Sequence, residues 1–202
     1  ILLGLHYTPG IHTAYYSVIR IYREVWGGSG YRLLHSGGAS MGLLRGLVYV
    51  YRGEFHGSYM YVSSVLPGGA LVYGVLMAIA FMGYVLPWGL MSYWGATVIT
   101  NLYTGVPCTV PWFLGGFRIS GPGIPRYFII HSILPAPVPL SLVLHVLYIH
   151  RVSTSPGTGY GTNNRVHFHA WLVRKDTGWV VQGVTGVLVQ VYRGTVVLAH
   201  PD

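Results

Sequence analysis

Charged residues, and acidic residues above all, are scarce in this chain. It has 202 residues, with 4 Asp and Glu against 12 Lys and Arg, and charged residues make up 8% of the total. A soluble domain usually carries about 25% charged residues, so a normal water-facing surface is excluded. Because 52% of the residues are hydrophobic and the mean hydropathy is +0.50, the composition favours an integral membrane protein.

Cysteine is also nearly absent. The single Cys108 excludes a disulfide framework and any metal site built from several cysteines. The net charge of +8 comes from scattered arginines, not from a basic stripe that would bind nucleic acid. No N-terminal secretory signal is visible. The chain begins inside the apolar run ILLGL and ends at HPD, as expected of a fragment or of an unusually short version of a longer protein.

Four apolar stretches are predicted to cross a bilayer, which gives an all-α membrane helical bundle. The clearest is 65–88, since about 20 apolar residues are needed and Trp88 suits the interface. The others are 32–52, which contains Arg45, then 127–149, and a weaker stretch at 178–199. The last is rich in valine, so periodicity does not separate helix from strand. We expect short surface helices at 92–104 and 110–117, an interfacial segment at 6–31, a polar turn at 53–60 and a polar loop at 151–177. Basic residues do not decide the orientation.

Three histidines, His131, His145 and His150, lie in the otherwise apolar stretch HSILPAPVPLSLVLHVLYIH. A histidine inside a bilayer is costly and usually marks a functional site. On one straight helix, fourteen residues make nearly four turns, so His131 and His145 would face the same side about 21 Å apart. Such spacing suits b-type haem, whose iron takes two imidazoles from different helices. The alternative for any single histidine is a packing residue with satisfied hydrogen bonds.

A partner histidine is present for one haem site but not for a second. His35 begins the 32–52 stretch, which runs in the same direction as 127–149, so His35 and His131 are expected at the same membrane face. Fourteen residues further along the two stretches lie His145 and Tyr49. The second site therefore lacks its expected fourth histidine.

Several blocks of the sequence resemble the respiratory cytochrome b family. The block AFMGYVLPWGLMSYWGATVITNL (80–102) is similar to the family signature. Four other blocks resemble family blocks and occur in the same order along the chain: RLLHSGGAS (32–40), YRGEFHGSY (51–59), RYFIIHSILP (126–135) and HFHAWLVRKD (167–176). The resemblance covers essentially the whole chain and is strongest in 80–102. It implies a transmembrane helical bundle with two stacked b-type haems that functions in ubiquinol oxidation and ubiquinone reduction.

The resemblance implies roles for the histidines. His35 and His131 match the ligands of the low-potential haem, and His145 matches one ligand of the high-potential haem. The family's other ligand falls on Tyr49. Tyrosine ligation, a five-coordinate iron, an altered site and a sequence error all remain open for that position.

Other residues that match the haem surroundings are arginines and glycines. Arg32 and Arg52 match arginines that pair with haem propionates, for which a bidentate cation is suited. Gly69 and Gly83 match glycines that let the porphyrin approach the backbone. For either glycine alone, ordinary helix packing is the alternative.

Two quinone sites are also implied. His150, Lys175 and Asp176 match the quinone-reducing pocket, where a histidine and a carboxylate beside a lysine can bind the two carbonyls and relay protons. A solvated pair in a loop is the alternative for Lys175 and Asp176. The walls of the quinol-oxidising pocket, with the helix 92–104 as its lid, match Tyr84, Met91, Trp94 and Gly95. An aromatic interface belt is the alternative for this block.

The family works as part of a dimeric complex, so the resemblance also implies partners and a location. The implied partners are cytochrome c-type and Rieske iron–sulfur subunits and the other subunits of complex III. The implied location is the mitochondrial inner membrane, with a bacterial plasma membrane as the alternative. The chain departs from the family at Leu90, where glutamine is usual, at Arg45, and in a shorter loop at 103–125. The single domain 1–202 lacks most of the family's first helix and its later helices, including the Pro-Glu-Trp-Tyr segment of the oxidising pocket.

Three other classes are weighed against this one. The photosynthetic relative is similarly short, but its second pair of histidines is separated by one residue more. A membrane scaffold with one haem and without full turnover would keep the fold. A channel or transporter with a histidine relay is supported only by polar residues within the spans.

Overall fold

The computed structural model describes residues 1–60, 65–116, 119–152 and 167–193, apart from the side chains of Gln190 and Arg193. These ranges contain eight α-helices, a 3-10 turn at Ser58–Met60, a π-helical turn at Phe168–Leu172 and no β-strand. The all-α class predicted from the sequence is confirmed. The helices are α1 (Ala14–Arg23), α2 (Gly28–Phe55), α3 (Val65–Val85), α4 (Leu90–Asn101), α5 (Thr109–Leu114), α6 (Gly123–Ile133), α7 (Val138–Val152) and α8 (Val173–Arg193).

The chain forms two compact units. The first contains Ile1–Arg32 and Gly74–Pro139, and the second contains Leu33–Tyr73 and the described part of Leu140–Thr195. Both α2 and α3 contribute residues to each unit. The expectation of a single domain over 1–202 stays a prediction.

Helix α3 matches the clearest predicted span. It has 21 residues, a mean hydropathy of 2.0 over its most apolar window, and only 11% of that window is buried. The core helix of a soluble protein would be mostly buried, so this exposed apolar surface favours lipid contact. The helix ends at Val85, where the N–H of Trp88 bonds the Val85 carbonyl at 3.0 Å. Pro87 has no N–H with which to continue the helix.

The predicted span 127–149 is wrong as a single straight helix. Helix α6 ends at Ile133 and α7 begins at Val138, with a bend of 44° between them. The connecting residues include Pro135 and Pro137, whose missing N–H groups interrupt the helical hydrogen bonds. His131 and His145 therefore lie on different helices, and the straight-helix geometry expected for them does not hold.

The predicted span 32–52 and the described part of the predicted span 178–199 are helical but more polar than α3. Among the described helices, α3 alone is long and apolar enough to cross a bilayer, and the α6–α7 pair qualifies only as one bent span. The described part of the valine-rich stretch is a helix, α8, and not a strand. It begins at Val173, so Lys175 and Asp176 lie on a helix, not in the loop predicted at 151–177. Most of that loop, 153–166, lies outside the described residues.

The core of the first unit lies where α3, α4, α5 and α6 meet. The predicted surface helices at 92–104 and 110–117 are confirmed as α4 and α5. Ser92 Oγ donates to the Tyr84 carbonyl at 2.8 Å and so fixes the start of α4 against the end of α3. The buried side chains of this core are Met82, Val85, Ala96, Leu114, Ile119 and Tyr127.

Candidate functional site

His131 on α6 packs directly against α3. Its Nδ1 lies 2.8 Å from the carbonyl oxygen of Ile79, and its ring covers Gly83, where an added methyl group would lie 2.6 Å from Cε1. A carbonyl oxygen only accepts hydrogen bonds, so Nδ1 donates the proton in this contact. This is the form in which histidine usually binds a metal, with its second nitrogen held by the backbone.

His145 on α7 packs against the same helix in the same way. A methyl group at Gly69 would lie 2.9 Å from Cε1 and 3.6 Å from Nδ1 of His145. Nδ1 is buried and has no hydrogen-bond partner among the described residues. Gly69 and Gly83 are fourteen residues apart on α3, so the helix presents two similar glycines to two histidines.

The expected opposite ligands, His35 and Tyr49, both lie on α2 in the second unit. Both side chains are exposed, and Tyr49 is 57% exposed. His131 belongs to the first unit, so the pairing of His35 with His131 stays a prediction. Tyr49 and His145 share a unit, and their pairing likewise stays a prediction.

The two arginines expected near the haems lie in different surroundings. Arg32 is partly buried near the start of α2, with its guanidinium 5.8 Å from the centre of the Tyr22 ring. Arg52 lies in the last turn of α2. It borders an open cavity of about 690 Å³ that is lined by Val48, Tyr51, Arg52, Glu54, Phe55 and His56.

The residues expected to form the quinol-oxidising pocket lie at the junction of α3 and α4. A methyl group at Gly95 would lie 3.5 Å from Cε1 of Tyr84, so these two residues are in contact. Tyr84, Met91 and Trp94 are 50%, 64% and 57% exposed. The structure therefore places a set of accessible aromatic and apolar side chains at the end of α3, next to the core under α4 and α5.

The residues expected to reduce quinone lie in the second unit. His150 is in the last turn of α7, and Asp176 is in the first turn of α8. Lys175 Nζ lies 4.7 Å from the centre of the Trp171 ring. Because a carboxylate near a helix N-terminus is itself stabilising, Asp176 has a structural role available in addition to the chemical one.

Sequence reasoning missed one group that contacts a candidate ligand, the backbone carbonyl of Ile79. Every residue has a backbone carbonyl, so the sequence does not indicate which carbonyl makes this contact. The available signal is Gly83, four residues later, since a helical residue without Cβ uncovers the carbonyl of the preceding turn.

Comparison with known proteins agrees with this architecture. The described part of the chain is all-helical, with histidines from α6 and α7 packed on glycines of α3. Residues 1–153 match the family described as cytochrome b/b6/petB. The chain belongs to the cytochrome b/b6 family, and the resemblance seen in the sequence is confirmed.

Curated relatives and a solved structure support this membership. Cytochrome b of Plasmodium falciparum is 38% identical over 202 residues, covering 100% of this chain and 54% of the relative. Cytochrome b of Toxoplasma gondii is 38% identical over 202 residues, covering 100% and 55%. A chain of a hyperthermophilic respiratory complex III is 25% identical with a TM-score of 0.86, covering 95% of this chain and 54% of that chain. The chain thus spans about half the length of the curated relatives it matches.

Proposed function

We propose that this chain is the haem-bearing, electron-transferring part of a respiratory quinol–cytochrome c reductase. The observation that carries the proposal is the pair of contacts between α3 and the histidines. His131 is held on Gly83 with Nδ1 on the Ile79 carbonyl, and His145 is held on Gly69 fourteen residues away. The similarity to cytochrome b of Plasmodium falciparum and to a chain of respiratory complex III supports the same conclusion.

Two b-type haems are proposed, with His131 as a ligand of one iron and His145 as a ligand of the other. Nδ1 of His131 is held by the Ile79 carbonyl, as the second nitrogen of a metal-binding histidine usually is. At both glycines an added Cβ would collide with the imidazole, so the missing Cβ lets each histidine pack directly on the backbone of α3. When bound, a b-type haem supplies reversible one-electron transfer. His35 is proposed as the second ligand at the level of His131.

The proposed haem site at His145 differs from the one at His131, because its expected second ligand is Tyr49 and not a histidine. A phenol or phenolate oxygen is a harder donor than an imidazole and stabilises ferric iron, so this site would differ in potential from a bis-histidine site. Arg32 and Arg52 are proposed to bind propionates through charge-assisted hydrogen bonds. Arg52 borders the open cavity at the end of α2, which leaves space for a carboxylate.

Quinol oxidation is proposed at the junction of α3 and α4. The exposed faces of Tyr84, Met91 and Trp94 offer an apolar and aromatic wall for a quinone ring. The contact between Gly95 and Tyr84 lets α4 pack closely against the end of α3.

Quinone reduction is proposed in the second unit, at His150, Lys175 and Asp176. An imidazole and a carboxylate can each hold a proton at a quinone carbonyl. Lys175, which lies over the Trp171 ring, adds positive charge that favours the reduced form.

The proposed partners are a bilayer around α3, a cytochrome c-type subunit and a Rieske subunit within a dimeric complex of the mitochondrial inner membrane.

A second candidate function is a membrane scaffold with a single haem. Two observations favour it. The resemblance aligns Tyr49 with a histidine ligand of the family, and Nδ1 of His145 is buried without a hydrogen-bond partner among the described residues.

Haem analysis of the assembled complex tests the proposal. We expect a low-potential b-type component in reduced-minus-oxidised spectra and haem in stoichiometric ratio to the chain. His131→Leu should remove that component and quinol oxidation together, because it deletes an axial ligand. His12→Leu, at an exposed position of the N-terminal segment, is the matched control and should leave the spectrum intact. A full low-potential spectrum in His131→Leu would show that the pairing is wrong.

A further inference from the structure

The contact between His131 and α3 is a hydrogen bond to the backbone carbonyl of Ile79, four residues before Gly83. In an α-helix the carbonyl of Ile79 accepts the N–H of Gly83. Side chains tilt toward the helix N-terminus, so a Cβ at position 83 would stand beside that carbonyl. With glycine at position 83, the carbonyl can accept a second hydrogen bond, and His131 Nδ1 lies 2.8 Å away. We call Ile79, Gly83 and His131 the Gly83 notch.

The same three elements recur fourteen residues earlier on α3. Val65 is the first residue of the helix, Gly69 follows four residues later, and His145 covers Gly69. Nδ1 of His145 is buried, lies 3.6 Å from the position of an added Gly69 methyl group, and has no hydrogen-bond partner among the described residues. The imidazole of His145 therefore packs on its glycine without the carbonyl hydrogen bond that holds His131.

We propose that Gly83 is a positioning residue for His131. It uncovers the carbonyl of Ile79, and that carbonyl binds Nδ1–H and directs Nε2 as the iron donor. The proposal rests on the proposed function only in naming iron as the atom that Nε2 binds. It differs from a role in which the glycines merely make room for the porphyrin, because in this structure the imidazole itself covers each glycine.

The two roles predict different consequences of adding one methyl group. Gly83→Ala would place a carbon 2.6 Å from Cε1 and 3.2 Å from Nδ1 of His131, so the ring must move away from the Ile79 carbonyl. Losing this hydrogen bond should raise the solvent exchange rate of the Nδ1 proton by roughly tenfold. If the glycine only made room for the porphyrin, the Nδ1–H bond would persist and haem binding alone would weaken.

The test uses the full chain in its native complex, labelled with ¹⁵N-histidine. In the reduced, diamagnetic state, the exchange rate and proton shift of His131 Nδ1–H are measured by NMR in the wild type, in Gly83→Ala and in Gly74→Ala. Gly74 lies on the same helix with nothing within 4 Å of an added Cβ, so it is the matched control. We expect slow exchange in the wild type and in Gly74→Ala, and fast exchange in Gly83→Ala. Equal exchange rates in all three would overturn the proposal.

Redox titration gives a second, site-selective readout. A backbone hydrogen bond on Nδ1 makes the imidazole a more basic ligand, so its loss should raise the midpoint potential. Gly83→Ala should shift the haem of His131 and leave the haem of His145 unchanged. A shift of both haems would contradict the assignment.

Two wild-type measurements keep the proposal testable if a variant does not assemble. Rapid exchange of His131 Nδ1–H in the wild-type complex would by itself refute the Gly83 notch. If the purified chain contains no haem, the proposed function fails. The ¹⁵N shifts of the same sample then show whether His131 still carries its proton on Nδ1, so the two failures are distinguishable.

Discussion

At the scale of single residues, several polar side chains of this structure bond backbone carbonyls. Tyr7 Oη donates to the Leu86 carbonyl at 2.7 Å, and Thr100 Oγ1 donates to the Ala96 carbonyl at 2.6 Å. Nδ1 of His131 does the same at the Ile79 carbonyl. In a chain with so few charged residues, carbonyl groups are the most abundant acceptors, and a buried hydroxyl or imidazole is costly without one.

Tyr7 should give the protein a measurable loss of stability at alkaline pH. Burial raises the pKa of Tyr7 above its ordinary value of 10.0, so the folded state keeps a proton that the unfolded state releases near that pH. The stabilisation is complete below about pH 10 and is lost as the pH rises above it. Tyr7→Phe should show a smaller alkaline loss and, at neutral pH, a cost of about 1 kcal/mol for the missing hydrogen bond.

Thermal unfolding between about pH 8 and about pH 11 checks this expectation. Tyr16→Phe is the control, since Tyr16 is 71% exposed and should follow the wild type. An alkaline loss of the same size in Tyr7→Phe and in the wild type would mean that another group is responsible.

At the scale of helices, much of the fold could be predicted from the sequence. The apolar run 65–88 predicted α3, and the amphipathic pattern after it predicted α4 and α5. The break between α6 and α7 was missed because hydropathy averages over Pro135 and Pro137, although both are visible in the sequence. Helix α8 was ambiguous, because valine-rich runs have no decisive period.

The candidate site was predictable only in part. His131 and His145 stood out because histidine is rare in an apolar run. Their attachment to Gly83 and Gly69 depends on how helices distant in sequence pack together, which the local pattern does not contain. The same limit applies to Ile79, whose contribution is a backbone oxygen.

The short helix α5 is held in place by its neighbours. Its six residues are too few for an isolated helix to be stable. The guanidinium of Arg126 bonds the carbonyl of Trp112 and lies over its ring, and the ring of Phe113 stacks on Tyr127 at 6.3 Å. Helix α5 therefore depends on α6 for its position.

Gly123, at the start of α6, should be sensitive to substitution for this reason. A methyl group there would lie 2.9 Å from the carbonyl oxygen of Leu114, and a backbone atom cannot rotate away. Gly123→Ala should therefore destabilise the protein by roughly 1–3 kcal/mol, as overpacking does. Gly121→Ala is the control, because its nearest contact is an ordinary 3.7 Å to Ile11. Denaturation midpoints compare the two, and an equal effect would show that α5 and α6 separate readily.

At the scale of the whole molecule, Tyr49 determines how many bis-histidine haems one chain is expected to carry. Tyr49→His should supply the second imidazole at the level of His145, and the variant should show two bis-histidine components. The wild type should show one, together with an altered or missing second component. Haem and iron per chain, with low-temperature optical spectra, measure this.

Tyr51→His serves as the control for this experiment. Position 51 is on the same helix and 60% exposed, but it is rotated by about 200° from position 49. It should leave the haem content unchanged. Two ordinary bis-histidine components in the wild type would mean that Tyr49 does not occupy a ligand position.

The unbroken course of α3 has a consequence for which changes in chain length the molecule can tolerate. Gly69 and Gly83 lie on one continuous helix, about 21 Å apart and within about 40° of the same direction. Deleting one residue between them would turn one glycine by about 100° relative to the other and leave one histidine facing a side chain. The connection after α6 is a turn, where an added residue is absorbed more easily. Insertions and deletions in homologous chains should therefore be found between α6 and α7 but not between the two glycines of α3.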